Sequence, residues 1–70
     1  MTIKTALLKI LDLQAKALVL KEWAVAQKKE AVERDDWKRA AEMEGNIRYF
    51  DGKILSYSES LSIMQGGEIQ

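Results

Sequence analysis

From residue 40 onward, apolar or amphipathic side chains stand at Ala40, Met43, Ile47, Phe50, Ile54, Tyr57, Leu61 and Met64, in alternating steps of three and four. Such steps return each residue to one line along an α-helix, the seam of a coiled coil. The register predicts a helix over about 36–64, with Met43, Ile47, Phe50, Ile54, Tyr57 and Leu61 as its hairpin seam. A competing signal lies inside it. Asp51-Gly52 between apolar flanks is a hairpin-turn dipeptide. A turn there would place Phe50, Arg48, Lys53 and Leu55 on one face, which is no clean strand alternation, and a lone two-stranded ribbon is marginal in water. The heptad pattern therefore outweighs the dipeptide, and a break at Gly45-Asn46 is the remaining alternative. The Gly-bearing residues 65–70 read as a flexible tail.

Upstream, Ile3 to Glu33 is rich in Ala, Leu, Lys, Glu and Gln, all good helix formers, and Gly is absent until position 45. This predicts a first helix over about 3–33. Asp35 or Asp36 can cap the second helix by accepting its unpaired first-turn amides. A turn at about 34–35 is short enough to force the helices antiparallel. Residues 1–70 thus read as one all-α domain, a two-helix hairpin. Residues whose numbers sum to roughly 70 should share a height. Phe50 then falls near Val19 and Leu20, Ile54 near Ala15 to Ala17, and Leu61 near Leu8.

The first helix carries more apolar surface than one neighbour can cover. One stripe reads Ala6, Ile10, Leu13, Ala17, Leu20, Ala24, Gln27, Ala31. A second, about 140° around the wheel, reads Leu8, Leu11, Ala15, Leu18, Glu22, Val25, Lys29, Val32. Val19 and Trp23 add a further patch. Leaving five or six such side chains in water forgoes about 1.5–3 kcal/mol each, comparable to the whole stability of a small domain. Self-association into a helical bundle is therefore expected, a dimeric four-helix bundle being the simplest closed form. Its interface would use Leu8, Leu11, Ala15, Leu18, Val25 and Trp23. A fold-back of "SIMQGGEIQ" is the alternative cover, but that segment is short.

Composition sharpens this. Seventy residues without Cys or His have neither disulfide nor the usual zinc ligands to support a small core. Eleven basic side chains balance eleven acidic ones, which argues against nucleic acid as a partner. Residues 1–35 hold seven basic and five acidic side chains, residues 36–70 four and six, a split suited to two segments lying against each other. Lys9, Asp12, Lys16, Lys21 and Glu22 interrupt the apolar run Ala6–Ala26, so it fails as a membrane span. A membrane-surface amphipathic helix is the weakest of the functional alternatives.

Catalytic chemistry has little to work with. The carboxylates of Glu30, Glu33, Glu42 and Glu44 sit on polar faces. The serines at 56, 58, 60 and 62 alternate and so scatter around a helix. No Glu-x-x-His pair exists for a bundle metal site. The expectation is a protein that is not an enzyme and carries no cofactor or metal. A candidate ligand or partner face gathers Gly45, Arg48, Tyr49, Gly52 and Lys53. There an aromatic with basic neighbours suits a nucleotide or phosphate, and glycines seven apart permit close approach to the backbone.

In "DDWKRAAEMEGNIRYFDGKILSYSESL" a Trp-bearing helix stands beside a short acidic turn, and each Gly is followed within three residues by Ile and a basic residue: Trp37, Gly45, Ile47, Gly52, Lys53, Ile54. Over about half its length the chain resembles the small helical-hairpin proteins of tailed bacteriophages. That resemblance implies a phage accessory factor in the host cytoplasm, inhibiting or sequestering a host protein or a small defence signal. The alternative it implies is a virion or assembly component packing against capsid or tail subunits.

Overall fold

The computed structural model describes residues 2–69, with side chains described for residues 2–64. Two helices, α1 (Ile3–Glu33) and α2 (Trp37–Ile69), pack against each other in a rod with extents of 52 × 17 × 14 Å. The protein is an all-α helical hairpin, with no strand among the described residues. Asp51-Gly52 lies within the continuous α2, and Gly45 does not break it. The structure departs from the sequence reading at the far end. The α2 backbone stays helical through Ile69 where a tail over 65–70 was expected; Gln70 lies outside the described residues. Each interior Gly costs roughly 1 kcal/mol against Ala, yet no proline forbids the helix there.

The ends of the helices explain the turn. Thr2 caps α1, its hydroxyl accepting from the Thr5 amide at 3.2 Å. At the other end the Asp36 amide donates to the Ala31 carbonyl at 2.8 Å and the Asp35 amide to Val32 at 3.1 Å. These two bonds make a Schellman motif. It requires a left-handed residue at Asp35, whose φ is 57°; aspartate tolerates this better than most side chains. Asp36 then begins α2, its Oδ1 accepting from the Arg39 amide at 3.1 Å. One residue closes α1 and caps α2, so the connection is Arg34–Asp36, one residue longer than 34–35.

Three polar contacts fix the register: Gln14 Nε2 to Ser58 Oγ at 2.7 Å, Lys21 to Asp51 at 2.7 Å and Lys28 to Glu44 at 2.6 Å. The residue numbers in each pair sum to 72, where the helix ends, Glu33 and Trp37, sum to 70. The difference has a physical cause. Side chains lean about one position toward their own N-terminus on each helix, which in an antiparallel pair adds two. Phe50 and Leu20 line one groove beside the seam, while Val19 points to solvent at 65% exposure.

Burial shows which faces meet. Ala40 and Met43 are buried, and Ile47, Phe50, Ile54, Tyr57, Leu61 and Met64 half-buried, along α2. On α1 the facing line is Leu7, Ile10, Gln14, Ala17, Lys21, Ala24, Lys28 and Ala31. The expected stripe shares Ile10, Ala17, Ala24 and Ala31 with it. Leu13 and Leu20, by contrast, lie exposed at the edge, because the short Ala side chains draw the bulkier α2 seam onto their own line.

Candidate interaction surface

Each position of α1's facing line is followed by a residue turned about 100° away: Leu8, Leu11, Ala15, Leu18, Glu22, Val25, Lys29 and Val32. This line is also spaced in steps of three and four, so α1 carries two coiled-coil seams. The inner one is buried or half-buried. The outer one is exposed throughout, with Leu8 at 58%, Leu18 at 47% and Val25 at 46%. Trp23 is exposed as well but does not belong to this strip; one residue past Glu22, it points toward the opposite flank. On the back of α1 an open apolar depression of ≈ 430 Å³ is lined by Ala15, Lys16, Val19 and Leu20.

What the hairpin buries makes the exposed strip conspicuous. Its buried hydrophobic residues are Ala17, Ala24, Ala31, Ala40 and Met43, and among the described residues no large side chain is completely enclosed. The buried side chains of α1 are all alanines, whereas most of its Leu and Val residues are exposed. An exposed contiguous apolar strip of this kind marks an interaction site.

The flank between strip and α2 carries the polar contacts that set the register. Sequence reasoning missed this ladder, although Gln14, Lys21 and Lys28 are seven apart, as are their partners Glu44, Asp51 and Ser58. Arg48 joins it, its Nε 3.4 Å from Glu44 Oε1. The Glu44 carboxyl is held below its ordinary value by the hydrogen bond and charge of Lys28, with desolvation opposing and Arg48 adding a smaller lowering effect. Trp37, seven residues before Glu44, heads the same column and is 62% exposed.

The opposite flank holds a shallow groove of ≈ 230 Å³ whose walls include Leu13, Lys16, Leu20, Tyr49, Phe50 and Lys53. Tyr49 and Phe50 meet edge to face at 5.3 Å, and Lys53 Nζ lies 5.5 Å from the Tyr49 ring centre. The structure therefore divides the ligand face expected from sequence. Tyr49 and Lys53 line the groove, whereas Arg48 is on the ladder flank with Glu44. Gly45 and Gly52 face outward, with nothing within 4 Å of a Cβ built on either. Helical spacing is the reason: residues one apart point about 100° away from each other. Any close approach to the two glycines would have to come from outside the chain.

Among the described residues no group of three or more His, Cys, Asp or Glu is placed to hold a metal ion, and no helix is long and apolar enough to cross a membrane. Comparison with family models, curated proteins and solved structures finds no match to this chain.

Proposed function

We propose that this chain is a non-enzymatic, self-associating helical hairpin that acts by binding, a phage accessory factor that inhibits or sequesters a host protein or defence signal in the host cytoplasm. The observation that carries the reading is the inversion of α1: an all-alanine set of buried residues facing α2 and a heptad strip of large apolar side chains facing solvent. A helix apolar on most sides is stable when buried on most sides. Five half-exposed Leu and Val side chains, each gaining about 1 kcal/mol on further burial, supply several kcal/mol to association, on the scale of a small domain's total stability. The absence of His and Cys supports a binding role over a catalytic one. The resemblance of Trp37, Gly45, Ile47, Gly52, Lys53 and Ile54 to phage hairpin proteins supports a phage origin.

Native mass spectrometry at tens of micromolar tests self-association; a clean monomer overturns it. Affinity capture from host lysate, with mass spectrometry of both proteins and small molecules, tests the target. Saturable enrichment of one host component is the expected result. Recovery of capsid or tail subunits from infected cells replaces the accessory reading with a virion one.

A further inference from the structure

We propose that the outer strip of α1 is occupied by the same strip of a second copy running antiparallel, locked by Glu22 of each chain against Lys29 of the other. The proposal rests on the self-association reading and adds the orientation and the pairing residues. Four observations carry it. The strip is itself a heptad seam, so the surface that fits it is another helix of the same period, and every copy of the chain supplies one. Glu22 and Lys29 are the only charges in it between Leu8 and Val32. Neither makes an ion pair among the described residues, although six other pairs form in the chain. Finally, the strip's charge pattern favours one direction.

A parallel, in-register copy sets Glu22 on Glu22 and Lys29 on Lys29, like charges facing in a partly desolvated seam. An antiparallel copy removes both clashes. With Glu22 seated against the partner's Val25, it lies about one turn, roughly 6 Å along the axis, from the partner's Lys29. The two-fold axis makes the second, equal pair. The same register seats Ala15 against the partner's Val32. It carries Leu8 and Leu11 past the end of the partner's first helix, Leu11 passing nearest the partner's Trp37, which gives that exposed indole an apolar neighbour. Strip and seam stand about 100° apart, so the two second helices splay.

The chain has no cysteine, so disulfide trapping is unambiguous. Ala15→Cys and Val32→Cys chains, mixed and oxidised, are expected to give a covalent heterodimer, whereas Ala15→Cys alone gives none. Charge exchange is the independent arm. Glu22→Lys and Lys29→Glu are each expected to weaken the dimer about tenfold, and the double exchange to restore it to within about threefold. A dimer that cross-links through Ala15→Cys alone is parallel and overturns this inference while leaving self-association standing. A dimer giving neither disulfide, or no rescue by the double exchange, overturns it too. A monomeric wild-type protein overturns both.

Discussion

The two helices bury opposite kinds of residue against each other. On α1 the buried positions are Ala17, Ala24 and Ala31, spaced seven apart; on α2 the facing line carries Met43, Ile47, Phe50, Ile54, Tyr57 and Leu61. Small against large lets the helices approach closely with few side chains fully enclosed, and it leaves most of α1's own Leu and Val residues exposed. The lesson is that hydrophobic content and core position separate in this molecule. The helix richer in large aliphatic side chains contributes the smallest ones to the hairpin.

Four variants and one titration break or sharpen that contrast. The largest effect is expected at Ala24, which has no exposed surface. Ala24→Leu overpacks the inner seam and should cost about 3 kcal/mol, seen as a lower melting temperature at every protein concentration. Placing charge on the outer seam instead, with Leu11→Asp and Leu18→Asp together, should cost about 2 kcal/mol of association. It leaves helix content intact by circular dichroism, and the loss appears only in the concentration dependence of melting. If both substitutions behave alike, the two seams of α1 are not distinct.

At the turn, Asp36→Ala removes the cap of α2 and should cost about 1 kcal/mol in chemical denaturation. Asp35→Gly should raise stability by about 0.5–1 kcal/mol, since glycine adopts the left-handed conformation without steric cost. The smallest effect belongs to the ladder, whose pairs are partly exposed and so weakened by solvent screening. Glu44 has a lowered pKa in the folded chain. Its contribution is therefore full above the ordinary value of 4.5 and lost as pH falls through the lower folded value. The melting-temperature gap between wild type and Glu44→Gln should close on acidification below that point.

How much of this could be read from the chain follows from which residues carry each feature. The seam of α2 is legible because every heptad position from Ala40 to Met64 is apolar or amphipathic, so one register dominates. The inner seam of α1 is half legible. Its polar members Gln14, Lys21 and Lys28 hide it, and a reading weighted by hydrophobicity moves to Leu13 and Leu20 on the neighbouring line. Those three residues make sense only beside Ser58, Asp51 and Glu44, partners that a single helix does not reveal. The turn was half legible too: Asp36 advertises a cap, but the left-handed position lacks the glycine that marks it. At the expected ligand face, residues close in sequence were grouped as if they shared a surface, and the helix distributes them over three.

The place of the fully buried residues has a kinetic consequence. Ala24, Ala31, Ala40 and Met43 lie on the turn side of the rod, nearest the doubly bonded Asp36, and Ala17 lies near its middle. Contacts nearest the turn close the shortest loops and so form fastest. The chain should zip from Asp36 outward and open from its free ends, like tweezers hinged at residue 35. Amides near the free ends should then exchange with solvent first and those from Ala24 to Met43 last. Leu8 and Leu11 sit on the tips that open. A second copy gripping those tips would clamp the tweezers shut, so assembly would set the lifetime of the fold as well as its stoichiometry.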